Sequence, residues 1–450
     1  MGRRALLAVT AAAVLTTGAL SACSSDGSGS SNTITVAYEN FGSFTQMNQL
    51  MKKVKAEYEK ANPKMSVKLE PIQADENDYY TKLDLMNRSA STAPDVLYED
   101  TFLVNSDISA GYLLPIDKYL SKWSDWSKFT STSKSAGKGQ DGKTYGVPMG
   151  TDTRGLYYNK QIFAKAGLPT TWQPKSWNDI LSAARTIKQK VPGVIPFQIY
   201  SAKSAGEGAT MQGLEMLLYG TGDTLYDPSS KKWIVSSKGL TDSFNFLRTI
   251  FSEGLGASPQ QELDTQWGTK VSTQLIPQSK IAIDLDGSWQ TGNWKKTGEK
   301  PWPQYSKVLG TAMMPTETGQ SPGYTSMSGG WLLSVGAHAK NPQAAFDFIT
   351  TSLNQPNTLF YDNAASQIAE RTDVADAPAY KSNDPFTPFF TSLVKYTHFR
   401  PAYAQYPKVS DAIQTAMEAV MTNQSSVSDA LSQFADNVKS EVGDSSTMSK

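Results

Sequence analysis

The chain has 450 residues, 42 of them basic and 42 acidic, so its formal net charge is zero. That balance argues against a nucleic-acid partner, which would call for a basic excess on at least one face. A single cysteine and two histidines exclude an internal disulfide and all but exclude a zinc or Cys/His catalytic cluster, so no metal or other cofactor is expected.

Arg3 and Arg4 are followed by an uncharged run over residues 5–22, rich in Ala, Thr and Gly. This composition reads as an export signal rather than a permanent span. It ends in Leu20-Ser21-Ala22-Cys23, which resembles the bacterial lipobox, where the thiol is acylated and the preceding peptide removed. Residues 1–22 are therefore expected to be a lipoprotein signal peptide, Cys23 the lipidated residue and residues 23–32 a flexible tether. A plain secretory signal with an incidental cysteine is the alternative. No later uncharged run is long enough to span a bilayer. The mature protein is thus expected to be soluble but held by lipid at the outer face of the cell membrane. The adjacent arginines leave Sec and twin-arginine export both open.

Residues 33–38 (TITVAY) read as a buried strand, and 45–61 as a helix with Met47, Leu50, Met51, Val54 and Tyr58 on one face. A strand at 67–72, a helix at 79–89 and a strand at 95–98 follow. This alternation predicts a parallel sheet with crossover helices, whose ligands sit beyond the carboxyl ends of the strands. That places attention on residues 39–42, 73–75 and 99–102. Further on, 145–148 and 155–158 read as extended, 176–191 as a helix with Ser176 and Asp179 forming a capping box, and 195–200 as a strand. Helices at 210–219 and 239–252 precede a strand at 280–285 that runs into Asp286-Gly287-Ser288-Trp289. Extended segments at 308–314 and 330–335, a helix at 342–353 capped by Asn341, and helices at 409–421 and 427–442 complete the pattern. The fold class expected is α/β, in one large protein of two lobes.

Residues 141–160 (DGKTYGVPMGTDTRGLYYNK) resemble the lobe-crossing segment of family 1 extracellular solute-binding proteins, the sugar receptors of ABC importers. Residues 93–120, 281–294 (IAIDLDGSWQTGNW) and 328–353 agree with the same family in order and spacing. The resemblance covers essentially the whole mature chain. It implies a two-lobed, type II periplasmic-binding-protein-like fold with hinge strands and a ligand cleft. Lobe one would take 32–150 and 315–353, lobe two 151–314 and 354–450. The implied partners are a neutral di- or oligosaccharide, the membrane permease of an ABC importer with its cytoplasmic ATPase, and the membrane itself, with the receptor a monomer and not an enzyme.

A sugar needs carboxylates, amides and Arg for its hydroxyls and flat aromatic rings for its C–H faces. By the resemblance, Asp152 contacts hydroxyls at the hinge, Trp289 stacks on the sugar and Asp100 reaches it from beyond the third strand. An ion pair of Asp152 with Arg154 is the alternative for the first, though Arg154 is also a candidate ligand contact. Glu99 adjoins Asp100, and the choice between them stays open; Thr101 could add a hydroxyl. Trp331, after two glycines, is a second stacking candidate or a core residue. Glu39, Gln73 and Glu207 are candidates from their place after strands, and Arg400, Tyr403 and Tyr406 from their place before the penultimate helix. His338 and His398 are expected to be structural or incidental. Two competing functions remain: a cell-surface glycoside hydrolase using paired carboxylates, and a receptor for a peptide or polyol.

Overall fold

The structure is a computed structural model that describes residues 32–450; the expected signal peptide, Cys23 and all of the tether before Asn32 lie outside the described residues. Strands Thr33–Glu39, Ser66–Ile72 and Val96–Asp100 pair in parallel, because helices Gln46–Ala61 and Glu76–Asn87 carry the chain back between them. Gln46–Ala61 turns Met47, Leu50, Met51, Val54 and Tyr58 inward, the stripe read from the sequence. Gly330–Val335 inserts antiparallel between Val96–Asp100 and Gly146–Thr151, completing a five-stranded sheet.

A second sheet runs in the order Leu309–Ala312, Arg154–Asn159, Ile281–Gly287, Ile195–Gln198. Its helices Trp177–Lys190, Lys238–Ser252 and Tyr406–Met421 share one core, with Ile180, Phe244 and Met417 fully buried. A further cluster of Tyr157, Trp267, Trp294 and Phe390 packs with this lobe. The two lobes are joined at 152–153, at 328–329 and again after the helix Gln355–Ala365, and the first two crossings are bonded to each other. Thr151 Oγ1 donates to the Gly329 carbonyl at 2.8 Å, and Ser328 Oγ to the Asp152 carbonyl at 2.6 Å. Gly330 has φ +143°, and a Cβ there would stand 2.8 Å from the carbonyl oxygen of Gly150; only glycine permits this approach. The fold is α/β and two-lobed, as expected.

Several local expectations are corrected. The helix expected at 79–89 starts at Glu76, because the Asp75 carboxylate accepts the Asp78 N–H at 3.0 Å. Ser176 makes no side-chain cap, and Asp179 instead accepts the Lys175 N–H at 2.7 Å, so the capping box is absent. Residues Ala209–Glu215 form a π-helix before Met216–Thr221 continues as α-helix. Helix Gln355–Ala365, which the sequence did not signal, packs on Gln46–Ala61 and sends Tyr361 and Ala365 into the first core. An assignment of everything after 353 to lobe two therefore fails for this helix. The strand Thr447–Ser449, pairing with Lys232–Ser236, was also not expected.

Candidate functional site

The carboxyl ends of the first-lobe strands open onto a cleft that the second lobe closes. Glu39 comes from the end of the first strand, Glu76 from the first turn after the second, and Asp100 from the end of the third. Trp331 lies opposite Asp100 in the sheet register and stacks on Tyr98, with ring centroids 4.3 Å apart and planes 8° from parallel. It is half-buried and lines the cleft. Together these residues make an aromatic floor edged by carboxylates.

Both cleft arginines are engaged. Arg154 is buried, ion-paired with Asp152, and lies 4.6 Å over the ring of Trp289. Arg400 donates to Asp100 at 2.5 Å and to Glu207 at 3.1 Å, so one guanidinium ties a first-lobe carboxylate to a second-lobe one. Tyr80 adds a hydroxyl to Asp100 at 2.9 Å. Asp286 accepts from Gln290 Nε2 at 2.5 Å, its neighbour's N–H on Gly287 at 2.7 Å and the Tyr200 hydroxyl at 3.2 Å.

Desolvation dominates the electrostatics. Burial pushes the Glu39 carboxyl well above its ordinary range, with Glu76, Asp100 and Asp75 adding repulsion. Burial, then Asp100 and Glu207, push Glu76 up to about 8, with Arg400 and the Tyr80 hydroxyl opposing. Asp286 is pushed up to about 6 by burial, against the donors just named and the Arg154 charge. Such groups exchange hydrogen bonds with hydroxyls in either protonation state.

Of the residues singled out by sequence, Asp152, Arg154, Trp289, Asp100, Trp331, Glu39, Glu207 and Arg400 line one cleft. The others do not. Glu99 points to the opposite face of its strand from Asp100 and is fully buried, next to Asp107; strand alternation puts Asp100, and not Glu99, on the cleft wall. Thr101 is outside the cleft lining; its hydroxyl donates to Asp100 Oδ1 at 3.4 Å and accepts a long 3.5 Å bond from Arg400. Gln73 is exposed outside the cleft. Tyr403 packs on Tyr226 with centroids 4.1 Å apart, and Tyr406 is fully buried, donating to Glu207 at 3.2 Å. These tyrosines support the second lobe from behind. His338 is exposed, and His398 stacks on Tyr219 at 4.4 Å.

Glu76, Tyr98, Gln212, Asp286, Gln290 and Asn293 also line the cleft and were not singled out. Asp286 and Gln290 had a signal, since they flank the Gly287-Ser288-Trp289 loop. Glu76 was obscured by a helix start placed three residues late. Gln212 reaches the cleft on the π-helix, whose extra residue per turn breaks the 3.6-residue pattern.

The chain shares 27% identity over 318 residues with a probable ABC transporter-binding protein of Deinococcus radiodurans, covering 64% of this chain and 67% of that one. It shares 22% identity over 361 residues with the galactooligosaccharide-binding protein of Bacillus subtilis, covering 79% of each. The fold superposes on the maltose-bound MalE3 of T. maritima with a TM-score of 0.76 at 20% identity, covering 90% of this chain and 99% of that one. Residues 41–358 match the sequence pattern of one family throughout, and that span holds the crossings at 152–153 and 328–329 and most of the cleft: the chain belongs to the bacterial extracellular solute-binding proteins.

Proposed function

We propose that this protein is the receptor of an ABC importer for a di- or short oligosaccharide, held at the outer face of the cell membrane by lipid on Cys23. The observation that carries the reading is the half-buried Trp331 ring, opposite Asp100 in the sheet and lining one cleft with Glu39 and Glu76. A flat apolar face with acceptors around its rim matches a pyranose ring. Relatives described as a galactooligosaccharide-binding protein and a maltose-bound protein support the same ligand class.

In this reading Trp331 carries the sugar face, while Asp152, Asp100, Glu207, Arg154 and Arg400 set the polar rim and Trp289 offers a second platform behind Arg154. The first lobe comprises 32–150 and the return from the 328–329 crossing, rather than from 315, through the helix ending at Ala365; the rest forms the second, since Met314–Pro315 and Tyr324–Met327 pair with each other and with Thr397–His398. Ligand bound to both walls favours the closed arrangement, which docks as a monomer on the permease and its ATPase.

Thermal unfolding of the protein from Thr33 onward, against mono- and oligosaccharides with peptides, polyols and amino acids as controls, tests the assignment. A ligand at 100 times its Kd adds about 2.7 kcal/mol of stability. A selective shift with an oligosaccharide recovered intact supports the receptor. A peptide or polyol shift reassigns the ligand, and cleavage of the sugar reassigns the protein as a glycoside hydrolase. Mass spectrometry of the exported protein checks acylation at Cys23.

A further inference from the structure

The helical segment Gln290–Trp294 follows the Trp289 loop on the second-lobe wall of the cleft, and its polar side chains divide into two pairs. Thr291 and Trp294 anchor it: Thr291 Oγ1 meets Ser366 Oγ at 2.7 Å and donates to the Asp384 carboxylate, and Trp294 Nε1 donates to the Ser272 carbonyl at 2.8 Å. Gly292 lies against helix Gln355–Ala365, where a Cβ would stand 2.9 Å from the Ala364 carbonyl oxygen. Gln290 and Asn293, three residues apart and so neighbours on one helix face, line the cleft instead, and each is only 1% exposed. Gln290 Nε2 donates to Asp286 at 2.5 Å. An ionised carboxylate only accepts, so Gln290 Oε1 is turned away from Asp286. That oxygen and both ends of the Asn293 amide have no hydrogen-bond partner among the described residues. Buried polar atoms are costly to leave in this condition, and here two adjacent side chains present three of them on one anchored segment.

Resting on the saccharide-receptor reading, we propose that Gln290 and Asn293 form a subsite for two adjacent free hydroxyls of the sugar, and that they select against saccharides in which either hydroxyl is missing or capped. The count of donors and acceptors decides the chemistry. Two acceptors, Gln290 Oε1 and Asn293 Oδ1, each need a hydrogen, and the Asn293 amide hydrogens need an acceptor. A vicinal diol supplies both hydrogens, and either of its oxygens accepts from Asn293 Nδ2. An acetamido group offers one N–H and one carbonyl, so one amide oxygen stays unpaired. A deoxy position or a methyl ether removes a hydrogen in the same way. Asp286 takes part as a positioning residue: by accepting from Gln290 it fixes which end of that amide meets the sugar.

The test is calorimetric titration of the protein with gluco-, galacto- and manno-configured di- and trisaccharides, followed by every monodeoxy analogue of the one that binds tightest. Loss of either hydroxyl of one adjacent pair is expected to weaken binding about ten- to hundredfold. In Asn293→Leu, similar in size but without the amide, the parent sugar is expected to bind correspondingly more weakly, and the penalty for deoxygenation at that pair to shrink while penalties elsewhere stay. Thermal unfolding of the same variant without sugar separates a binding role from a packing one. An amide with no partner contributes nothing to the fold, so the midpoint is expected to equal or exceed that of the wild type. A lowered midpoint with unchanged sugar affinity would make Asn293 a packing residue and overturn the subsite, and so would a deoxy profile that the variant leaves intact. The wild-type series needs no variant: if no two adjacent hydroxyls are both required, the proposal fails and the sugar receptor stands. Failure of every saccharide removes the subsite together with the reading on which it rests.

Discussion

Arg400 and Asp100 lie 2.5 Å apart at the base of the cleft, 300 residues from each other in the chain, each side chain 4% exposed. The same guanidinium reaches Glu207 at 3.1 Å and covers the Phe102 ring at 4.4 Å. It is the ionic tie between the two walls.

Replacing Arg400 should therefore be severe. Arg400→Met leaves Asp100 and Glu207 buried without a counter-charge, a change that destabilises by about 3–5 kcal/mol. Urea unfolding at neutral pH measures it. Arg400→Met with Asp100→Asn and Glu207→Gln should recover much of the loss, since no uncompensated charge remains; failure to recover would mean that packing on Phe102 carries the effect.

Trp331→Ala should weaken ligand binding by about 1.5–3 kcal/mol, the worth of a large apolar face removed from water. That is a ten- to hundredfold rise in Kd, read by titration. Trp289→Ala should matter less, because Arg154 already occupies a face of that ring. Equal losses in the two variants would contradict the difference in their surroundings.

Closure can be probed at the cleft mouth. Gly42 has φ +57°, and a Cβ there would lie 2.4 Å from Thr269 Oγ1 of the opposite lobe. Gly42→Ala should hold the lobes apart and lower ligand affinity, alongside a backbone strain of about 1–2 kcal/mol. Small-angle scattering should show a larger radius of gyration. The added Thr269→Ala or Thr269→Gly change, which removes the hydroxyl, should restore affinity if the clash is the cause, and not if strain alone is.

Stability should fall as pH rises from mildly acidic to alkaline. Glu76, Glu215 and Glu370 are each pushed up to about 8, in every case first by burial, with Asp100, Glu207 and Asp152 respectively adding repulsion. Between the ordinary carboxylate value of 4.5 and about 8 the folded chain thus binds more protons than the unfolded one. The unfolding free energy decreases through that window and levels off above it. Denaturant midpoints taken across it check the sign, and Glu370→Gln should flatten the slope.

The sequence by itself determined whatever repeats locally. Alternating apolar residues and helical stripes placed the strand Thr33–Glu39, the helix Gln46–Ala61 and the terminal helix Val427–Val442 almost to the residue. The parallel order then located the cleft, because strand ends in such a sheet share one edge. Motif loops brought Asp152, Trp289 and Asp100 to it. Tertiary structure alone decided the pairings. That Arg154 covers Trp289, that Arg400 joins Asp100 to Glu207, and that Tyr406 turns inward are contacts between segments far apart in the chain. A side chain's partner at such separation is set by how helices and sheets pack, and no periodicity of the chain encodes it. The same reason hid Glu76 and Gln212: one rests on a helix cap three residues early and the other on a π-turn, each a local departure from the repeat that only the surrounding packing fixes.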